Sequence, residues 1–247
     1  APATFTGKPI SVGGSEGREE ATGYGGGIVL REAIKAKLAS IGKGSTVAIQ
    51  GFGNVAIFMA EAMDRLGLKV VAVSDSRGGN YNPDGFHVDE LVKYKKDYGS
   101  LEGFPKSKKI TNETLLTLKV DVLVPAALEN VLTGKNASKI KAKLIIEMAN
   151  GPTTSDADKV FKKKGIIVIP DILANSGGVA TSYFEWYQNV HGEKWSKVDV
   201  LKKLDKQMVD AFNDVMTVRN KYKTDFRNSA YILASERILR AETDRAK

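Results

Sequence analysis

Five short apolar runs punctuate the chain, near 46–50, 69–74, 120–124, 144–148 and 166–169, each dominated by Val, Ile, Leu or Ala. Runs this short and this apolar read as strands buried on both faces. Between them apolar residues recur at helical spacing. Val55, Phe58, Met59, Ala62 and Leu66 predict a helix that Gly67 stops. A polar helix is expected from His87 to Tyr98, another from Thr111 to Leu118 with Thr111 or Asn112 as its N-cap, and a third from Thr154 to Lys164. Beyond Asn175 the pattern is helical throughout. Asn175-Ser176-Gly177-Gly178-Val179 opens a helix carrying Tyr183, Phe184, Trp186 and Tyr187. Val198, Leu201, Leu204, Met208, Phe212 and Val215 predict a long helix over 197–221. Tyr231, Ala234, Ile238 and Leu239 predict a last one over 226–245. Strands alternating with helices imply an α/β fold, a doubly wound parallel sheet with a C-terminal helical extension.

One helix is unusual. Ile28, Val29, Ala33, Ile34 and Leu38 predict it over 18–39, yet it carries Gly23, Gly25, Gly26 and Gly27. Each glycine inside a helix costs about 1 kcal/mol relative to alanine. That surface must therefore stay smooth, either for close packing on the sheet or for a ligand lying across it. The sequence leaves both open. The stretch from Arg77 to Gly85 is dense in turn residues and reads as a small hairpin or loop.

The first strand runs into Gly51-Phe52-Gly53-Asn54-Val55-Ala56, a G-x-G-x-x-A turn, then a helix, then a second strand ending near Asp75. Gly51 lets the chain turn sharply, Gly53 leaves room for a pyrophosphate, and Ala56 keeps the helix close to the sheet. The helix N-terminus favours a phosphate. Asp75 lies 24 positions after Gly51, where an acid can accept from an adenosine ribose. Strand, turn, helix, strand and acid together read as a dinucleotide-binding unit. Ligands of such sheets sit at the carboxyl ends of the strands, here Gly51, Asp75, 125–127, 149–151 and 171–175. Three segments follow: a leading arm or hinge over 1–12, the dinucleotide-binding unit over 13–195, and C-terminal helices over 196–247 that either belong to the same unit or form a hinge to a further domain.

Composition narrows the setting. The chain has 247 residues, 42% hydrophobic and 27% charged, the balance of an ordinary globular protein. No apolar run reaches the roughly 18 residues that suggest a membrane span. Zero cysteines exclude thiolate chemistry and fit a reducing, cytoplasmic setting. His87 and His191 stand far apart without further ligands at metal spacing, so no metal site is expected. The net charge of +8 raises a nucleic-acid reading. However, the lysines fall in scattered groups (Lys93, Lys95, Lys96; Lys106, Lys108, Lys109; Lys162, Lys163, Lys164), without aromatic interleaving, and read as solvated faces.

Four motifs together resemble glutamate dehydrogenase, especially the archaeal and bacterial hexameric type. They are Gly17-Arg18-Glu19-Glu20-Ala21-Thr22-Gly23-Tyr24-Gly25, Gln50-Gly51-Phe52-Gly53-Asn54-Val55, Ala149-Asn150-Gly151-Pro152, and Asn175-Ser176-Gly177-Gly178-Val179 with Ser182-Tyr183-Phe184-Glu185-Trp186. The likeness extends from Pro9 to Arg240. Leucine and phenylalanine dehydrogenases share the architecture, while the first and last motifs look like the glutamate branch. Ala56 and Ser176 depart from the glycine and alanine of many relatives.

The resemblance implies roles. Thr22 would hold the nicotinamide carboxamide, and Gly51, Phe52, Gly53, Asn54 and Val55 would cradle the pyrophosphate. Asp75 and Ser76 would meet the adenosine ribose. Ala126, Ala127 and Asn150 would line the middle of the cofactor, and Asn175 would contact the nicotinamide side. Val179 and Ser182 would shape the substrate pocket, with Ser182 on the distal carboxylate; read from the residues alone, Ser182 is a helix-surface hydroxyl. Asp75 favours NAD by repelling a 2′-phosphate, whereas Ser74, Ser76 and Arg77 suit that phosphate; the balance leans to NADP or dual use. The family's catalytic lysine, general-acid aspartate and most hexamer contacts come from a preceding domain. No glycine-lysine-glycine stretch of that kind occurs before Arg18, so no catalytic residue is expected in this chain. It resembles the cofactor domain of an enzyme, a homo-hexamer at full length, that deaminates glutamate to 2-oxoglutarate. The competing readings are a stand-alone nucleotide-binding or sensing module, the cofactor domain of a related leucine- or phenylalanine-type dehydrogenase and, on charge alone, a nucleic-acid binder.

Overall fold

Around the apolar run Thr46–Gln50 (β1) the chain builds a seven-stranded sheet. In the computed structural model, which describes residues 2–246, the other strands are Lys69–Asp75 (β2), Gly78–Tyr81 (β3), Lys108–Ile110 (β4), Val122–Pro125 (β5), Leu144–Ile146 (β6) and Ile167–Ile169 (β7). Ala1 of the expected arm and Lys247 of the last segment lie outside the described residues. The order is β4-β3-β2-β1-β5-β6-β7. β1 lies parallel to both β2 and β5, with Val47 opposite Val70 and Val122, and β6 and β7 continue the parallel set.

The five expected strands form the doubly wound parallel set, and two further strands at one edge make the sheet mixed. β3 runs antiparallel to β2, and β4 antiparallel to β3. Asp75 pairs with Gly78, so Ser76 and Arg77 form a two-residue hairpin loop and the chain folds straight back without a crossover helix. Gly78, at φ 134°, supplies the conformation this reversal needs. The turn-rich stretch is thus partly a strand. β4 escaped notice because its Lys108 and Lys109 are exposed, as edge strands often are.

Alternate residues of each strand feed opposite faces. Val47 and Ile49 join Val70, Val73, Val122, Val124 and Leu144 on one side; Ala48 joins Ala72, Leu123 and Ile145 on the other. The first side is covered by Ala21–Lys35 (α1), Asn54–Arg65 (α2) and Lys197–Tyr222 (α8), whose Leu204, Met208 and Phe212 belong to that same core. The second is covered by Asn112–Leu116 (α4) and Ser155–Lys164 (α5) through Leu115 and Phe161. Thr111 and Thr154 cap these two helices by accepting from Thr114 N and Ala157 N. Val88–Tyr98 (α3), Asp171–Ala174 (α6), Gly177–His191 (α7) and Phe226–Arg245 (α9) complete the chain. No helix among the described residues is long and apolar enough to cross a membrane.

α1 is shorter than its apolar pattern suggested. It starts at Ala21 and ends at Lys35, and Lys37, Ala39 and Ser40 beyond it have positive φ. Its glycines answer the question left open. A Cβ on Gly23 would sit 2.4 Å from Val55 O, one on Gly25 3.0 Å from Gly177 Cα, and one on Gly27 2.3 Å from Ala62 Cβ. Helix-on-helix contact with α2 and α7 fills this surface, so close packing explains it.

The leading segment is strapped along α7. Gly7 N and Lys8 N donate to the two Glu185 carboxylate oxygens at 2.9 and 3.3 Å, and Lys8 Nζ donates at 2.5 Å. Further along, Asn189 Nδ2 donates to Gly13 O at 2.8 Å. The Glu185 carboxylate is fully buried. Burial pushes its carboxyl up, but Lys8 and the two N–H groups outweigh it and hold the carboxyl below its ordinary value.

Candidate functional site

The sheet reverses its winding between β1 and β5, and the loops leaving both strands meet there. Ala126 N donates to Gln50 O at 2.8 Å. Gly51 has φ 93°, and a Cβ on it would lie 2.9 Å from Ala127 Cβ and 3.0 Å from the Ala126 carbonyl. Both conformation and space therefore require glycine at this position. Gly51 N also donates to the buried Ser74 Oγ at 3.3 Å, which ties the turn to the end of β2.

Gly53 is the N-cap of α2 and no side chain caps the helix. A Cβ on Gly53 would meet nothing within 4 Å, so space lies open before the helix start. First-turn N–H groups without side-chain partners, a favourable dipole and an open approach suit a pyrophosphate. Asn54 is exposed and Val55 half-buried at this entrance. Phe52 buries its ring in the core at 2% exposure, leaving only its backbone for a ligand.

A second cluster forms from the loops after β6 and β7. Asn175 Nδ2 donates to Asn150 Oδ1 at 2.7 Å. Gly151 N donates to Asp171 Oδ2 at 2.7 Å, and Asp171 N to Glu147 Oε2 at 2.9 Å. Arg227 of α9 closes this set, donating to Glu147 Oε1 at 2.7 Å and to Asp158 Oδ2 at 2.6 Å, with Asp171 Oδ1 3.6 Å away. The Glu147 side chain is wholly buried. Burial pushes its carboxyl up, and Arg227 pulls it back without cancelling the effect.

Thr22, in the first turn of α1, faces α7. A Cβ on Gly178 would come within 2.5 Å of Thr22 Oγ1, so glycine there makes room for the hydroxyl. Ser182 lies one turn further along α7. Its hydroxyl accepts from Arg18 Nε at 3.2 Å and donates to Gly178 O at 3.1 Å. Val179 is 70% exposed, and Tyr183, Trp186 and Val190 continue that exposed apolar face at helical spacing.

At the end of β2 the Asp75 carboxylate turns inward. Its Oδ1 accepts from Arg77 N at 2.9 Å; its Oδ2 accepts from Leu101 N and from Lys95 Nζ, each at 2.8 Å. Burial pushes its carboxyl up, but Lys95 and the two N–H groups win and lower it. Lys95 is thereby a correction to the solvated-face reading, whereas Lys164 stays exposed while its Nζ donates to Ser138 O and Ile140 O. Ser76 and Arg77 are exposed beside the Asp75 carboxylate.

Comparison with known proteins now fixes the family. The model of the Glutamate/Leucine/Phenylalanine/Valine dehydrogenase family matches residues 13–246. The chain belongs to that family. It is 54% identical over 241 residues to glutamate dehydrogenase of Thermotoga maritima, covering 97% of this chain and 58% of that protein. It is 45% identical to the NAD-specific glutamate dehydrogenase of Peptoniphilus asaccharolyticus, covering 95% and 57%. Among solved structures, the Leu-bound hetero-hexameric glutamate dehydrogenase of Thermus thermophilus superposes with a TM-score of 0.88 at 34% identity, covering 96% and 56%. The chain therefore spans somewhat over half the length of the relatives it matches.

Within this dehydrogenase fold, Lys95, Arg227, Glu147 and Glu185 were not foreseen as supports of the site. Glu147 and Glu185 lie beside or within motifs, and an acid amid buried apolar neighbours was the available signal. Lys95 and Arg227 sit in ordinary polar helices, where only three-dimensional contact gives them roles.

Proposed function

We propose that this chain is the cofactor-binding part of an NAD(P)-dependent glutamate dehydrogenase. The observation that carries the reading is the Gly51–Gly53 turn, whose backbone and surroundings leave open space at an uncapped helix start on the switch point of the sheet. The residues fit a dinucleotide. Gly51, Phe52, Gly53, Asn54 and Val55 would hold the pyrophosphate through backbone N–H groups. Ala126, Ala127 and Asn150 would flank the middle, and Thr22 and Asn175 would orient the nicotinamide. Ser76 and Arg77 would receive the adenosine ribose end, which supports NADP or dual use. When bound, the nicotinamide accepts or returns a hydride.

Val179 and Ser182 would face the substrate, with the Arg18 guanidinium beside the Ser182 hydroxyl adding a positive charge for its distal carboxylate. Holding an α-carbon against the nicotinamide needs a base and a clamp, and we expect both from the part of the relatives' length that this chain does not span. The exposed apolar face of α7 is consistent with a second surface closing over it. We therefore assign glutamate deamination to 2-oxoglutarate, homo-hexamer formation and a cytoplasmic setting to the intact enzyme, and dinucleotide binding to this chain. Titrating the 247-residue chain with NADH and NADPH separately, by nicotinamide fluorescence, tests the reading. Saturable binding of at least one is expected, with no appreciable glutamate oxidation. Binding of neither, or robust turnover by this chain, contradicts it.

A further inference from the structure

An acid at the end of the second strand ordinarily accepts from the adenosine ribose, and its charge repels a 2′-phosphate. Asp75 occupies that position, but its carboxylate is spent elsewhere. Three donors already reach it: Arg77 N, Leu101 N and the Lys95 ammonium. A carboxylate has about four acceptor sites, and the Asp75 side chain is only 6% exposed. Little of it remains for a sugar hydroxyl. Lys95 reaches it from α3, an element with no role in the cofactor motifs, and is itself only 24% exposed.

The neighbouring charges complete the picture. Arg77 occupies the second position of the hairpin loop, with its N–H fixed by Asp75 and its side chain exposed. Glu102, the acid whose carboxyl responds to the Arg77 charge, is held by Lys109 at 2.8 Å. No ion pair engages the Arg77 guanidinium among the described residues. The rim therefore presents a hydroxyl and a free guanidinium over a carboxylate whose charge a half-buried ammonium offsets.

We propose that Lys95 determines cofactor specificity: by pairing with Asp75 it removes the charge that would reject a 2′-phosphate, so that Ser76 and Arg77 admit NADPH as well as NADH. The inference rests on the dinucleotide-binding reading above. Lys95 touches no cofactor atom; it is a positioning residue that acts through Asp75. Specificity here is a difference of two affinities, and withdrawal of a repulsive element sets it.

The test is a double-mutant cycle in the 247-residue chain, with NADPH and NADH affinities measured by nicotinamide fluorescence and folding followed by thermal melts. Lys95→Gln leaves Asp75 charged and unpaired, and should weaken NADPH about tenfold while NADH changes less than about threefold. Adding Asp75→Asn to Lys95→Gln should restore NADPH to within about threefold of the parent. A merely structural role would not be rescued in this way. Asp75→Asn alone, which keeps Lys95, should leave NADH nearly unchanged and NADPH equal or tighter, and it serves if Lys95→Gln does not fold. Equal weakening of both cofactors by Lys95→Gln, or no rescue in the double variant, overturns the proposal. So does a tenfold loss of NADH on Asp75→Asn, because Asp75 would then serve the ribose directly. If the parent binds neither cofactor, the dinucleotide reading itself falls and this inference falls with it.

Discussion

Asn175, at the junction of α6 and α7, donates its side-chain amide to Asn150 Oδ1 across 2.7 Å. This bond joins the loop after β6 to the start of α7, two segments separated by 25 positions and both proposed above to contact the cofactor. A net hydrogen bond contributes about 0.5–1.5 kcal/mol to stability, so Asn175→Ala should lower the melting point by a few degrees and, by freeing the two loops it joins, weaken dinucleotide binding by up to about tenfold. Calorimetric titration beside a thermal melt checks this. An unaltered affinity would remove Asn175 from the site.

The glycines of α1 offer a test by sign. On an exposed helix surface Gly→Ala stabilises by about 1 kcal/mol. Here the added Cβ of Gly23→Ala would meet the backbone of α2 at Val55 O and Met59 N, at 2.4 and 2.8 Å. We expect a net loss of about 1–3 kcal/mol, seen as a melting point several degrees lower. Gly26→Ala should cost less, because its new Cβ would meet the flexible end of Met148 at 2.4 Å. A stabilised Gly23→Ala variant would contradict the packing explanation.

Much of this architecture was legible in sequence. The five apolar strands, the glycine turn and the last two helices lie close to where their periodicity places them, because buried strands and amphipathic helices write their burial into residue type. The reversed strand did not show, because Gly78-Gly79-Asn80-Tyr81 carries almost no apolar signal and its direction follows from a two-residue turn. The start of α1 was misplaced because Arg18, Glu19 and Glu20 are good helix formers that tertiary contacts hold in a turn instead. The partners of Asp75, Glu147 and Glu185 were also hidden. Pairs such as Arg227 with Glu147, 80 positions apart, leave no trace in local spacing.

Arg227 is the only cation that reaches the buried Glu147 carboxylate among the described residues. Breaking a buried pair by removing one partner costs about 3–5 kcal/mol, because the other charge stays buried alone. Arg227→Met should therefore lower the urea midpoint strongly and also weaken cofactor binding, since Asp171 and Gly151 hang on the same network. Adding Glu147→Gln should recover much of the stability by removing the stranded charge. A mild Arg227→Met phenotype would show that the network is dispensable.

Acid should release the leading arm. Glu185 titrates below its ordinary value of 4.5 when folded. Its contribution is therefore fully present above about pH 4.5 and lost as the pH falls through the lowered folded value. Hydrogen-exchange protection of Gly7 N and Lys8 N, the two donors to Glu185, should persist at pH 6 and vanish at lower pH than an unperturbed glutamate would dictate. Glu185→Gln should weaken that protection throughout the range in which Glu185 is ionised. Protection that does not depend on pH would place the arm's anchor elsewhere.

The most direct measurement is backbone amide chemical-shift mapping of the chain as NADH or NADPH is added. We expect the largest shifts at Gly51, Gly53, Asn54 and Val55, with further shifts at Ala126, Ala127, Asn150 and Asn175 along the switch point of the sheet. Shifts confined to another surface, such as the cleft between α5 and the start of α9, would contradict the assignment of this groove to the dinucleotide.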